Sequence, residues 1–294
     1  MNQLARARVA RLLFGLGLGL ITPLMAIAQE DGVNWPQRFM QSFKARTPVT
    51  GFPLDMDWSS AYRLQAKLVE LLQPEHGRVI GYKAALTGAG QRQGFNVTEP
   101  VWGVLLEKTL THEGSPISSD FGVAPFIEGD FIFRVGSAEI NNAKDRMAVL
   151  AALDAVVPFI ELVDLPVRSD GGPNLPGLIA GNTGARKGLL GKPVMIEATE
   201  EWMQRLGQVE VLLYEDGQLV SRGTTVDLYG HPVDAVIWLR DAIAKQGIVL
   251  KAGDLLSLGT VAGGMKKMKS GTALRADYVG LVEGEVVSMS GRVE

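Results

Sequence analysis

The stretch PFIEGDFIFRV, Pro125 to Val135, sets two carboxylates one residue apart inside an otherwise apolar run. A run so rich in Phe and Ile reads as a strand bound for the core. Side chains at i and i+2 of a strand leave the same face, so Glu128 and Asp130 project together among Ile127, Phe131 and Phe133. Two such anions repel each other and lose hydration on burial. Either the face is wet or a cation compensates it. A third acid, Glu161, stands in the equally apolar VVPFIELVD and can reach the same point from a neighbouring strand. Three carboxylates, with water and substrate oxygens completing the shell, suit a hard divalent ion such as Mg²⁺ or Mn²⁺. The alternative is an edge strand with a charged solvent face, or ion pairs to Arg134 and nearby lysines.

Composition narrows the other possibilities. The 294 residues are 46% hydrophobic and 21% charged, ordinary globular usage that supports a sizeable core. A net charge of −3 gives no electrostatic draw toward nucleic acid or an anionic membrane. Without cysteine there is no disulfide, thiolate nucleophile or Cys-ligated metal. The histidines, His76, His112 and His231, lack paired metal spacing, and His231 in Gly-His-Pro ahead of a helix reads as structural. There is no Gly-x-Ser-x-Gly elbow and no phosphate-binding Gly-rich loop before Lys-Ser/Thr. GTVAGGMKKMKSG reads as a solvated turn between strands.

At the N-terminus, Arg6, Arg8 and Arg11 precede a glycine-diluted apolar stretch, Leu12 to Leu24, that closes with Ala26-Ile27-Ala28. This is the grammar of a secretory signal, with a membrane anchor as the rival; Pro23 and the shortness of the stretch favour cleavage after Ala28. The expectation is an exported, periplasmic protein with no stable membrane anchor after cleavage, and a cytoplasmic one is the alternative. In the mature chain, DWSSAYRLQAKLVELL has helical apolar spacing behind Asp57 and Ser59, with Gln73-Pro74 as its end. Further helices are predicted over Asp145 to Val156 and Pro232 to Gln246, the latter stopped by Gly247. Strand-like runs bounded by glycine follow, and Glu215-Asp216-Gly217-Gln218 signals a hairpin. SDGGPNLPG reads as a loop. Strands outnumber helices and do not alternate with them, which predicts an α+β fold: a helical region over 29–77 on a β-rich mixed-sheet core over 78–294, behind a signal over 1–28.

Several stretches together carry a resemblance: GYKAALTG around Lys83, PFIEGD, VVPFIELVD, GLIAGNTG at Asn182, VDLYGHPVDAVIWL and AGDLLSLGT. In this order they resemble the 2-keto-4-pentenoate hydratase branch of the fumarylacetoacetate hydrolase superfamily, with Gly-His-Pro and Ala-x-x-Trp-Leu the most specific piece. The resemblance implies a fumarylacetoacetase C-terminal-like core and a metal-dependent hydratase of unsaturated 2-oxo acids such as 2-hydroxypenta-2,4-dienoate. It implies Glu128, Asp130 and Glu161 as ligands of Mg²⁺ or Mn²⁺, Lys83 as the catalytic lysine, Asn182 and Thr260 in the substrate pocket, and relatives that are often homo-oligomers. Two departures stand out. The branch usually has glutamate where Asp130 stands, and an aspartate in the motif matching EPVWG, where this chain has Val101; Glu99 or Glu107 is left as a stand-in. Removing that acid would lower the lysine's pKa and abolish one proton relay. A 2-oxo acid decarboxylase, a C–C hydrolase or an exported non-catalytic binder of 2-oxo acids therefore remains open.

Overall fold

The computed structural model describes residues 32–170, 172–264 and 269–294. The predicted signal segment, 1–28, and the lysine-bearing part of GTVAGGMKKMKSG, residues 265–268, lie outside the described residues. Two long strands, Pro125–Val135 and Leu153–Asp164, organise the rest. They pair antiparallel with Glu128 opposite Glu161, Asp130 opposite Phe159 and Ile132 opposite Val157. Both are covered on both faces, which is why their sequences are almost continuously apolar. Across the sheet the order is Val101–Leu106, Val79–Ala85, Leu255–Ser257, Pro125–Val135, Leu153–Asp164, Ala185–Leu190 and Leu110–His112, with two short strands added at the flanks. Parallel and antiparallel pairs mix: Leu255–Ser257 runs parallel to Val79–Ala85 but antiparallel to Pro125–Val135.

A second sheet is built on the predicted hairpin, Glu210–Glu215 with Gln218–Thr224. Asp216 and Gly217 both have positive φ, 48° and 77°, as a type I′ turn requires. This sheet continues through Ala273–Val282 and Glu285–Val293 to Pro116–Ile117. From Ala273–Val282 the fully buried Tyr278 reaches into the central pair. Its hydroxyl accepts from Phe159 N at 2.8 Å and offers its single proton to Asp130 O at 2.8 Å or Phe159 O at 3.0 Å. The phenol thus stands inside the ladder at the Asp130–Phe159 pair.

The N-terminal helices Trp35–Ala45 and Trp58–His76 pack on one another. Residues 34–294 are one compact unit. Trp58–His76 fastens the edge of the sheet. Tyr62 Oη accepts from Trp102 N at 3.1 Å, and Gln65 Nε2 donates to Trp102 O and Ile179 O.

The mixed architecture agrees with the α+β expectation, and three helix limits differ from it. Trp58–His76 runs through Pro74 instead of ending there, because a proline in the last turn removes one hydrogen bond while Gly77 N still closes on Gln73 O. The second helix is only Arg146–Ala151. Leu153 onward is strand, since β-branched residues backed by pairing on both sides outweigh helical spacing. Within SDGGPNLPG, Asn174 caps a helix, Leu175–Ala180. Pro232–Ala244 matches the third, capped by His231, whose Nδ1 accepts from Val233 N and whose Nε2 faces Met203 O, so the ring is structural. No helix among the described residues is long and apolar enough to cross a membrane.

Replacing Tyr278 by Phe removes one hydroxyl from a dry strand pair and strands its backbone partners. Urea unfolding is expected to show a loss of about 1–3 kcal/mol with an unchanged m-value.

Candidate active site

Cross-strand register puts four of the sequence-predicted residues, Lys83, Glu128, Asp130 and Glu161, on one face of the central sheet. Direct partners project to the same side, so Glu128, Asp130 and Ile132 share a face with Glu161, Phe159 and Val157. Ser257, opposite Ile132 and Lys83, joins that face and brings Lys83 with it. Between Ser257 and Ala262 the neighbouring strand leaves Pro125–Val135 at Gly259-Thr260, where Gly259 has φ +96° and its Cα abuts Thr87 too closely for a Cβ. That detour sets Thr260 on the wall of a cavity of about 910 Å³. Lys83 and Glu128 also line it, with an apolar tail region that includes Leu86, Phe95, Phe126 and Leu178.

Lys83 and Glu161 are buried, at 2% and 1% exposure, and form an ion pair through Glu161 Oε1. Glu161 Oε2 is buried without a partner among the described residues. Burial pulls the Lys83 ammonium down, but Glu161, Glu128 and Asp130 outweigh it and leave the lysine above its ordinary value. Burial pushes Glu161 up to about 7 against the pull of Lys83. Asp130, also dry, is raised well above the usual carboxylate range by burial and then by Glu161, despite hydrogen bonds from Ser257 Oγ and Phe131 N. Three carboxylates face one lysine, so the cluster is short of positive charge. The orphaned oxygen of Glu161, buried directly across the strand pair from Glu128, which lines the cavity, is the donor chemistry a hard dication takes, and the residues fit such an ion. In the protein as it stands, no three His, Cys, Asp or Glu side chains among the described residues are gathered closely enough to enclose one.

Asn182 is placed differently. Its Oδ1 accepts from Val104 N at 2.8 Å and its Nδ2 donates to Val104 O at 2.9 Å, so the amide is spent on the Val101–Leu106 strand. Its neighbours Gly181, Thr183 and Gly184 line the cavity instead. Asn182 and Thr183 both hold left-handed backbone, φ 62° and 52°, and Thr183 Oγ1 donates to Trp102 O at 2.6 Å. Val101 pairs with Ala85, two residues from Lys83, and so faces the lysine's side with an apolar group. Neither proposed stand-in acid reaches the lysine: Glu99 accepts from Trp238 Nε1 and Glu107 pairs with Arg78 at the surface. Two contributors were missed. Ser257, visible in AGDLLSLGT, holds Asp130, and Asp164, the last residue of VVPFIELVD, lines the cavity while its Oδ1 accepts from Val123 N and Ala124 N.

A carboxylate raised in the folded state binds protons that the unfolded chain has already lost. The Glu161 shift therefore makes stability fall as pH rises from about 4.5 to about 7 and stay lower above it. Thermal unfolding of chelator-treated protein should give a higher midpoint at pH 5 than at pH 8, and Glu161→Gln should flatten that difference.

No family model matches the chain. The 2-oxo-hept-4-ene-1,7-dioate hydratase of Escherichia coli is 26% identical over 253 residues, covering 82% of this chain and 92% of that protein. The 2-keto-4-pentenoate hydratase of Paraburkholderia xenovorans is 27% identical over 254 residues, 86% and 92% of the two. In structure, 4-oxalocrotonate decarboxylase from Pseudomonas putida G7, solved with magnesium and adipate, superposes with a TM-score of 0.76 at 19% identity, over 88% of this chain and 95% of that one. The chain is thus similar along most of its length to the 2-keto-4-pentenoate hydratase branch of the fumarylacetoacetate hydrolase superfamily, and it has that superfamily's fold.

Proposed function

We propose that this protein is a divalent-metal-dependent hydratase of unsaturated 2-oxo acids, with 2-hydroxypenta-2,4-dienoate as the probe substrate. One observation carries the reading: a buried lysine paired to an acid whose other oxygen is unsatisfied, beside a second acid on the floor of a largely apolar cavity. Glu128 and Glu161, with Asp130 beside them, would hold Mg²⁺ or Mn²⁺, whose chemistry is to polarise the 2-oxo oxygen and offset the enolate charge. The remaining work falls to the chain itself. The apolar wall takes the unsaturated tail and keeps bulk water from it. Thr260 offers a hydroxyl from the loop over the acids. Lys83, paired to Glu161 and lining the cavity, stabilises negative charge or moves a proton there. Net hydration adds OH and H across the alkene and leaves a 4-hydroxy-2-oxo acid.

Decarboxylation is the second reading, and Val101 favours it. Loss of CO₂ leaves an electron pair in the enolate and then needs an acid, which Lys83 supplies. Hydration also needs a group to take a proton from water, and the lysine's face has no carboxylate at position 101. The decarboxylase among the fold neighbours is in keeping with this alternative.

Purified protein with Mg²⁺ should consume 2-hydroxypenta-2,4-dienoate with loss of the dienol absorbance. Glu128→Ala and Glu161→Ala should abolish turnover with circular dichroism unchanged, and Lys83→Met should lower kcat by at least about 100-fold. Full activity in either acid variant sinks the assignment; CO₂ release from an unsaturated 2-oxo diacid, without hydration, selects the second reading. Export is proposed alongside, and N-terminal sequencing of the secreted fraction should read from Gln29.

A further inference from the structure

The three acids are not equivalent. Glu161 has one oxygen on Lys83 and the other without a partner among the described residues, and Glu128 stands half-buried on the cavity wall. Asp130 is buried and absent from that wall, as Glu161 is, but unlike Glu161 it is committed through both oxygens: Oδ1 to the Phe131 N–H and Oδ2 to the Ser257 hydroxyl. Its main chain has little room to move toward the others. Tyr278 Oη lies 2.8 Å from Asp130 O, Val261 N and Leu258 N bond to Gly129 O and Phe131 O on either side, and the strand is paired along its length to Leu153–Asp164. A glutamate here would project its carboxylate about 1.5 Å further, one C–C bond, and past Ser257. With aspartate, the three carboxylates do not gather around one point.

Resting on the metal-dependent reading above, we infer that Asp130 is not a direct metal ligand: Glu128 and Glu161 bind the ion, and Asp130 acts as a positioning residue, clamped by Ser257 and Tyr278, that touches the ion only through an intervening water. The site is then a two-carboxylate centre with one more exchangeable water than a three-acid centre would have. Its affinity for the ion is correspondingly lower, and a single added methylene at position 130 should restore the third ligand.

The test is Mn²⁺ binding without substrate, followed by electron paramagnetic resonance of free Mn²⁺ and by water-proton relaxation of bound Mn²⁺. Wild type should bind, and Glu128→Gln and Glu161→Gln should lose binding. Asp130→Asn should weaken it by only about 10- to 100-fold, the range typical of groups behind the ligands. Asp130→Glu should bind at least about tenfold tighter than wild type, with lower relaxation enhancement because one water has been displaced; a merely structural residue would not move that signal. Loss of binding in Asp130→Asn as complete as in Glu161→Gln, or an Asp130→Glu variant with wild-type affinity and relaxation, overturns the inference and leaves the metal reading standing. A wild-type protein that binds no Mn²⁺ overturns both.

Discussion

Uncompensated negative charge in a dry place is the constraint on which this structure turns. Three carboxylates share one face of the central sheet with a single lysine, and burial has pushed two of them toward holding protons. A sheet core does not keep such a cluster for stability, because well-packed apolar side chains of similar size would serve at least as well. The arrangement makes physical sense as a receptacle for added positive charge, and the cavity above it gives that charge something to act on.

Much of the surrounding architecture keeps the cluster in register. Pairing along 11 residues of Pro125–Val135 fixes which side chains share a face, since a slip of one would turn the acids into the hydrophobic layer. Tyr278 enters that pair from the second sheet, and Ser257 steadies Asp130 from the adjoining strand. On the far side, Trp102 is held by Tyr62, Gln65 and Thr183, while Asn182 grips Val104 with both ends of its amide. These contacts locate the strand beside Lys83 and the cavity wall at the same time. Asn182 therefore acts here as part of the frame, and the left-handed backbone at Asn182-Thr183 is the local strain that the frame sustains.

The candidate site is legible where chemistry and periodicity coincide. Glu128, Asp130 and Glu161 announced themselves because acids in Phe- and Ile-rich strands need an explanation, and the period of two put the first pair on one face. The Asp-Gly hairpin was legible because so few residues tolerate two successive positive φ values. What local sequence does not contain is the identity of long-range partners. That Ser257 would bond Asp130, that Tyr278 would enter a ladder 119 residues away at Phe159, and that Glu99 and Glu107 would face other partners all depend on tertiary pairing. The helix over Asp145 to Val156 failed for a related reason: its second half is claimed by neighbouring strands on both sides, and local spacing carries no trace of them.

The position of the acids on the two longest, doubly covered strands has a consequence for how the protein opens. Amides in such strands are expected to exchange with solvent only in openings that approach global unfolding, whereas amides in exposed loops exchange through smaller excursions. The charged floor is therefore mounted on backbone that smaller excursions leave in place. Smaller excursions elsewhere in the chain can then let a ligand enter and leave while the carboxylates keep their places.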